Sequence, residues 1–356
     1  MKLNLTWIFL LISVFLISTI LYAQTIRPIR DNVGFCWNAP EMDSIISFLE
    51  KDANYSPRFQ GDNLVAAISP HDDYLYAGRI YFPVYHLIKA KEIVVFGVTH
   101  GTVRRAMNDP ENVLILDNYD FWKGPYGNVK ISPLREVIKQ KLNHDYFIVS
   151  NKAQRIEHSI EALIPFLQYY NRNIKITPIM VTAMPFSLIA KISGELTNII
   201  DNYIHSRHLQ LGKDIFFLIS NDADHYGADF NNTPFGTDLK AHTAATNNDK
   251  RIIEKYINNT ISKSDLVALT KEIWKTGKNK PLTLWCGRYP VTFGLLTVEK
   301  IVKNITGKPL SGKLFKYSDT FTEKVLPIKN TQLGTTAPFS LKHWVGFYSA
   351  GFYINK

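Results

Sequence analysis

Short, uninterrupted apolar segments alternate with helix-like segments along most of this chain, and this alternation constrains the fold more than any other feature. The clearest apolar segments are NLVAAIS (63–69), EIVVFGV (92–98), IKITPIMV (174–181) and DIFFLIS (214–220). Segments with apolar residues at helical spacing, such as EHSIEALIPFLQYY, lie between them. Continuously apolar strands between helices are typical of a parallel sheet that is covered on both faces. We therefore predict one α/β domain over residues 31–356, with a largely parallel central sheet flanked by helices.

The first 23 residues differ from the rest of the chain. Lys2 is followed by an almost uninterrupted apolar run from Trp7 to Ala23. A basic start, an apolar stretch and a small final residue are typical of a secretory signal peptide, and this run is also at the short limit for a membrane span. We predict that residues 1–23 are an export signal, either cleaved after Ala23 or retained as an N-terminal anchor. Both alternatives place the domain in the periplasm or outside the cell.

Composition excludes several classes of protein. A hydrophobic content of 46% over 356 residues is that of a compact globular protein. The net charge is +10, but the lysines and arginines are dispersed, so we predict no nucleic-acid partner. The two cysteines, Cys36 and Cys286, are too few for a multi-disulfide scaffold or a four-cysteine zinc module. In an oxidising compartment they either form one disulfide, or Cys36 is a buried apolar residue without a partner.

Histidine follows three of the apolar strands within a few residues. NLVAAIS leads into PHDD, EIVVFGV into TH, and DIFFLIS into NDADH. One histidine at a strand end is usually a capping or hydrogen-bonding residue, but three such ends suggest a shared site. Ligands of open α/β sheets bind beyond the carboxyl ends of the strands, where the loops converge. We therefore expect His71, His100 and His225 on one rim, and expect the turn WCGRYP to bring Cys286 to it.

The side chains on this rim suit a metal ion. Imidazole nitrogen and thiolate sulfur are good ligands for iron, zinc and copper, and two histidines with one cysteine leave a coordination position open. Asp222 beside His225 resembles a carboxylate that orients a proton-transferring imidazole. No closed motif such as HExxH or CxxC is present, so the residues alone predict a metal-centred pocket without a defined reaction. Histidines that lack the strand-end setting are interpreted as surface or structural: His86, His144, His205, His208, His242 and His343.

The motifs on this rim belong to a longer series of segments. In order, the series is VGFCWNAPEMDSIISFL, PHDDYLYAG, GVTHG, EHSIEALIPFLQ, SNDADHYG, WCGRYP and VGFYSAGFY. It resembles the MEMO-like family, which includes component B of the AmmeMemoRadiSam system, over nearly all of the chain that follows the N-terminal run. The resemblance implies a fold similar to that of the class III extradiol (LigB-like) dioxygenases.

The same resemblance implies a metal site and its surroundings. One transition-metal ion, iron or copper rather than zinc, would be bound by His71, His100 and Cys286. His225 and Asp222 would be catalytic groups in the same pocket. The residues that the resemblance places around the pocket are Asp72, Asp73, Glu157, His158, Arg288 and Cys36. Among these, Arg288 is expected to meet an anionic group of the substrate.

The chain departs from the family pattern at three places. Asp72 and Asp73 replace the usual Ala-Gly after the first histidine and add two carboxylates beside the pocket. Cys36 replaces an aromatic residue at the pocket edge, and a disulfide to Cys286 would remove the thiolate ligand. The predicted export would separate the chain from the family's intracellular partners, an AMMECR-type protein and a radical SAM enzyme. We therefore expect neither partner, and expect a small-molecule or peptide substrate.

Three functions agree with these residues. The first is a metal-dependent oxidoreductase similar to a dioxygenase. The second is a metal carrier or peptide-binding scaffold without turnover, and the third is a metal-assisted hydrolase. A proton-transfer pair favours catalysis, because a carrier needs none.

Overall fold

A twelve-stranded mixed sheet forms the centre of the molecule in a computed structural model, which describes residues 24–52, 60–274, 280–329 and 331–355. The described strands are β1 Ile26–Arg27, β2 Leu64–Ser69, β3 Glu92–Val98, β4 Leu114–Leu116, β5 Phe121–Gly124, β6 Gly127–Ile131, β7 Phe147–Val149, β8 Lys175–Val181, β9 Ile215–Ser220, β10 Asp222–Gly227, β11 Leu310–Asp319 and β12 His343–Ile354. The predicted export signal, residues 1–23, lies outside the described residues.

Helices connect the strands and cover the sheet. The described α-helices are α1 Ala39–Lys51, α2 Tyr74–Tyr85, α3 Gly101–Ala106, α4 Leu134–Lys141, α5 Asn151–Ile156, α6 Ile164–Tyr170, α7 Phe186–Ser206, α8 Leu239–Tyr256, α9 Lys263–Ile273 and α10 Arg288–Thr306. Short 3₁₀ turns are formed by His144–Tyr146, Glu161–Leu163 and Ala228–Phe230. None of the helices within the described ranges is both long and apolar enough to cross a bilayer.

The strand order confirms the predicted fold class. Along its main path the sheet runs β1-β5-β6-β8-β3-β9-β2-β12-β10, with β11 paired to β12 and β4 to β7 and β8. The neighbours from β6 through β8, β3 and β9 to β2 are all parallel. β12 runs antiparallel to β2 and to β10. The chain is therefore a single α/β domain with a mixed, mostly parallel sheet flanked by helices.

The apolar character of the central strands follows from burial on both faces. Val94 and Phe96 of β3 belong to one core cluster, which α7 and α10 complete on one side of the sheet. Ile93 and Val95 belong to the other cluster, which α1, α2 and α6 complete on the opposite side. Successive strand side chains point to opposite faces, so a strand covered on both needs an apolar residue at every position. Each such side chain contributes about 1.5–3 kcal/mol on burial.

The register of the parallel strands brings their carboxyl ends to one edge. Ser69 at the end of β2 pairs with Ser220 at the end of β9, and Phe96 of β3 pairs with Ile219. The residues that follow these three strands therefore leave the sheet side by side. This edge carries the predicted rim.

Two segments differ from the predicted structure. Residues 222–227, to which no strand was assigned from the sequence, form β10, because they pair with β12 in a register that places His225 opposite Val345. The segment from Glu157 to Tyr170, expected as one helix, is non-helical over residues 157–160 and continues through a 3₁₀ turn into α6. There the Glu157 carboxylate accepts hydrogen bonds from the backbone N–H groups of His158 and Ser159, and Pro165 in the first turn of α6 has no N–H to continue a helix.

Candidate metal centre

Five side chains at the carboxyl edge of the sheet form two overlapping groups of candidate metal ligands. One donor atom each from His71, His100 and His158 lie within 4.8 Å of one another. The same limit holds for donor atoms of His71, Asp222 and Cys286. His71 belongs to both groups and joins them. Each of the three predicted ligands thus belongs to one of these groups, with His71 in both, and the structure adds His158 and Asp222 to them.

A hydrogen-bonded chain through Ser220 fixes the tautomer of His71. The Ser220 hydroxyl donates to the carbonyl oxygen of Ser159 at 2.7 Å, so its oxygen accepts from Nδ1–H of His71, also at 2.7 Å. The lone pair of Nε2 is left free, and Nε2 lies 3.3 Å from Sγ of Cys286 and 3.3 Å from Oδ2 of Asp222. Both neighbours are also electron-pair donors. Two ligands of one tetrahedral ion lie about 3.5 Å apart, so a single cation fits this arrangement.

Glu157 holds His100 in the same way. Its Oε1 lies 2.7 Å from Nδ1 of His100, and its Oε2 accepts the backbone N–H of His100 at 3.0 Å. Burial alone raises the pKa of Glu157, but the charge and hydrogen bonds of His100 outweigh it and hold that pKa well below its usual value. Metal-bound histidines usually donate their second N–H to such a carboxylate. Glu157 was expected in the pocket wall, and the structure places it behind His100, 2% exposed.

His158 packs between the two predicted histidine ligands. Its ring stacks on that of His100 at 4.6 Å between centroids and 11° between planes, and it meets the ring of His71 edge-on at 5.5 Å. Burial and the neighbouring His100 lower the pKa of His158 to about 3. The ring is therefore neutral at pH 7 and retains a lone pair for a metal.

Cys286 reaches the cluster through a tightly anchored turn. The backbone N–H of Asp222 points at its sulfur, with a nitrogen–sulfur distance of 3.2 Å. The next position, Gly287, has no room for a side chain, because an added Cβ would lie 2.4 Å from Oδ1 of Asn221. On the preceding side, Asp249 accepts hydrogen bonds from Oγ1 of Thr283 at 2.7 Å and from Nε1 of Trp285 at 2.9 Å. These contacts fix the position of the thiol.

Burial shifts the cluster towards uncharged forms. It raises the pKa of Asp222 to about 7, and it raises the pKa of Asp72 and of the Cys286 thiol well above their usual values. Burial likewise lowers the pKa of His71 well below the usual value. The sulfur, the two carboxyl groups and the His71 imidazole thus favour uncharged forms without a metal, whereas at His100 the effect of Glu157 outweighs burial and raises the pKa. Such a donor set fits a transition-metal ion, which would offset the desolvation of the anionic forms.

The predicted pairing of Asp222 with His225 is corrected by the structure. Oδ1 of Asp222 accepts the backbone N–H of His71 at 2.9 Å, and its Oδ2 faces the His71 ring. Nδ1 of His225 instead lies 3.2 Å from the carbonyl oxygen of Ala223. Asp222 and His225 therefore line the same cavity with different hydrogen-bond partners. Burial lowers the pKa of His225 to about 4, so the ring is a neutral base at pH 7.

Two cavities meet at the cluster. The first, which we call the polar lobe, has a volume of about 400 Å³, and the second, the apolar lobe, has about 280 Å³. His100, His225 and Phe230 line both lobes. The predicted residues in the wall of the polar lobe also include His71, Asp72, Asp73, His158 and Asp222. The apolar lobe contains Cys286 and Arg288.

Asp73 ties the polar lobe to the segment that leads into β12. Its Oδ2 accepts hydrogen bonds from N–H and Oγ1 of Thr336, at 2.6 and 3.0 Å. Its Oδ1 lies so close to Gly34 that an added Cβ there would be 2.1 Å away. Burial raises the pKa of Asp73 to about 6. The carboxylate therefore joins three separate segments at the wall of the lobe.

Cys36 lies beside the polar lobe, whose wall at this point is the neighbouring Phe35. The sulfur of Cys36 is turned towards the carbonyl oxygen of Asn38 at 3.4 Å and towards Glu41 at 3.6 Å. Both cysteines are free thiols in the structure, so they do not form the disulfide that the sequence left open. Burial raises the pKa of Cys36 to about 12.

Sequence analysis missed two residues of the site. His343, interpreted as surface or structural, lines the polar lobe and pairs with Asp229 at 3.0 Å. It enters through the antiparallel pairing of β12 with β10, which no local pattern predicts. Ser220 sets the tautomer of His71, and its only signal is that a buried-type strand ends in serine directly before the rim.

Comparisons with known proteins identify sequences similar to this chain. The profile of the family described as Memo-like protein matches residues 36–323. A MEMO1 family protein of Methanosarcina barkeri is 30% identical over 46% of this chain and 56% of its own length. One of Saccharolobus solfataricus is 26% identical over 68% of this chain and 73% of its own length. One of Aquifex aeolicus is 32% identical over 45% of this chain and 54% of its own length. The chain thus spans about half the length of two of these relatives.

Proposed function

This chain belongs to the Memo-like protein family, and we propose that it binds one transition-metal ion and uses it as an oxidoreductase similar to a dioxygenase. His71, His100 and Cys286 would hold the ion, with Asp222 and His158 close enough to complete the ligand set. The observation that carries this proposal is the environment of Nε2 of His71. Its lone pair faces the sulfur of Cys286 and a carboxyl oxygen of Asp222, each at 3.3 Å, and a cation that displaces their protons would bind all three atoms.

The proposal names iron or copper as the metal. Thiolate and imidazole ligands suit both, and both exchange single electrons, which zinc does not. When bound, such an ion would supply redox chemistry at the junction of the two lobes. The resemblance to the family supports this choice over zinc, whose open coordination position would instead favour hydrolysis.

The surrounding side chains would bind the substrate and move its protons. His225 lines both lobes and is neutral at pH 7, so it is suited to accept a proton from a substrate in either lobe. The apolar wall, which includes Phe230 and Leu284, would exclude water from the reacting groups. Asp222, with a pKa raised by burial to about 7, would hold or release a proton near neutral pH.

The test combines metal analysis with turnover. Protein purified without oxygen is expected to contain one iron or copper ion per chain and to consume oxygen in the presence of a substrate. Cys286→Ser is expected to lose the metal, whereas His225→Gln keeps the metal and loses the turnover. A metal-loaded wild type without turnover on any oxidisable compound would favour a carrier, and a zinc-loaded protein would favour a hydrolase.

We also propose that the domain is exported. This rests on the apolar run from Trp7 to Ala23 in the sequence. Cell fractionation and N-terminal sequencing of the mature protein test it. Full-length protein in the cytosol with Met1 retained would contradict it, and would return the family's intracellular partners to consideration.

A further inference from the structure

The two lobes beside the metal centre differ in charge. Among the described residues, four carboxyl groups line the polar lobe, from Asp31, Asp72, Asp73 and Asp222, and Arg30 is the only arginine there. The described wall of the apolar lobe contains no carboxylate and includes two arginines, Arg104 and Arg288. An anion therefore meets acidic groups in one lobe and guanidinium groups in the other.

The two arginines of the apolar lobe are not equivalent. Arg104 forms a two-pronged ion pair with Asp109, with nitrogen–oxygen distances of 2.6 and 2.8 Å, and its charge is already balanced. Arg288 is half-buried and donates to the carbonyl oxygen of Trp285 at 2.9 Å. Within the described residues, no carboxylate forms an ion pair with Arg288. A partly buried guanidinium without a counter-charge is a strong site for a carboxylate, which it can bind through two parallel hydrogen bonds.

Arg288 is also close to the metal centre along the chain. It is two residues from Cys286 in the same turn, and both line the lobe together with His100 and His225. Val98, Val181 and Leu284 contribute apolar side chains to the same wall. With a volume of about 280 Å³, the lobe is at the small end of ligand pockets.

We infer that the apolar lobe binds a small organic acid with an apolar body, whose carboxylate pairs with Arg288 while its other end lies against the metal cluster. The inference rests on the proposed function and adds the class of substrate to it. Arg288 would make the lobe bind an acid more tightly than its neutral analogue. The acidic polar lobe remains free for a second, uncharged or cationic reactant.

Titration of the full-length protein with phenylacetate and with its neutral analogue phenylacetamide tests the inference. The wild type is expected to bind the acid at least about tenfold more tightly than the amide, which is the usual effect of charge-assisted hydrogen bonds. Arg288→Gln is expected to reduce this preference to below about threefold, and Arg288→Lys to retain part of it. Arg251→Gln is the control, because Arg251 is paired with Glu272 and lines neither lobe, and it is expected to keep the preference.

A second variant and two further measurements keep the outcome clear. Ala183→Phe fills the lobe from its wall and is expected to abolish binding of both compounds. Thermal unfolding shows whether each variant is folded. Metal content is measured separately, so that a protein without metal contradicts the proposed function, while the acid preference and its dependence on Arg288 are read from the titrations. Equal binding of acid and amide, an unchanged preference in Arg288→Gln, or no binding of either compound up to about 10 mM would overturn the inference.

Discussion

The hydroxyl of Ser220 determines which nitrogen of His71 is free to bind a metal, so Ser220→Ala should weaken metal binding without removing a ligand. In the structure Ser220 gives its proton to the carbonyl oxygen of Ser159 and accepts the Nδ1 proton of His71, both at 2.7 Å. Without that acceptor, His71 can place its proton on Nε2 instead. In that tautomer Nε2 donates to Asp222 or Cys286 and has no lone pair for the ion.

The size of the effect follows from these contacts. Loss of a group that orients a metal-bound histidine costs about 10- to 100-fold in metal affinity, or about 1.4–2.8 kcal/mol. The metal-free variant is also expected to unfold more easily by about 1–3 kcal/mol, because the carbonyl of Ser159 loses its buried donor. Ser220 is fully buried, so water cannot replace the hydroxyl without rearrangement.

Competition with a chelator measures the affinity, and urea unfolding of the metal-free protein measures the stability. Ser193→Ala is the matched control, since Ser193 is fully buried in α7 and accepts a hydrogen bond from Thr297 at 3.2 Å, away from the cluster. It is expected to lose stability but to bind metal as the wild type does. An affinity of Ser220→Ala within about twofold of the wild type, or an equal loss in Ser193→Ala, would refute the role of the tautomer.

Three further predictions concern pH, the anchored turn and Cys36. Apparent metal affinity should rise with pH, because the ion displaces protons from Cys286 and from Asp222, whose pKa is about 7. In competition with a chelator, the increase in affinity with pH should become shallower above pH 7. An affinity that does not depend on pH would contradict this. Asp249→Ala should lower the free energy of unfolding by about 3 kcal/mol or more, because it leaves the buried donors of Thr283 and Trp285 unpaired. Asp249→Asn should retain part of that stability. Urea unfolding measures both variants, and equal losses would count against the anchoring role. Cys36→Ser should leave metal content unchanged with or without reductant, because Cys36 is a free thiol turned away towards Asn38. A metal content that depends on reductant only in the wild type would indicate a disulfide.

Burial made the central strands predictable. β3 matches its predicted range of residues 92–98, because a strand covered on both faces is apolar at every position. β10 was not predictable in this way. Its residues, DADHYG, are mostly polar, and they form a strand only because β12, more than a hundred residues later, supplies the hydrogen-bonding partner. The hairpin of β5 and β6 was also missed, since its strands are short and only partly buried.

The site was predictable to the extent that strand ends define it. Three strand ends in register carry His71, His100 and the segment from Asp222 to His225, so these residues lie at one edge. What orients each side chain depends on contacts between distant segments. The sequence did not indicate that Asp222 would face His71 and not His225, or that His158 would stack on His100.

X-ray absorption spectroscopy at the metal edge, on the iron- or copper-loaded protein and on Cys286→Ser, tests the central claim most directly. In the wild type we expect one sulfur ligand at about 2.3 Å together with two or three nitrogen ligands at about 2.0–2.1 Å. The sulfur should be absent from any metal that Cys286→Ser retains. A bound ion without a sulfur ligand, or a sulfur signal that persists in Cys286→Ser, would contradict the proposed metal centre.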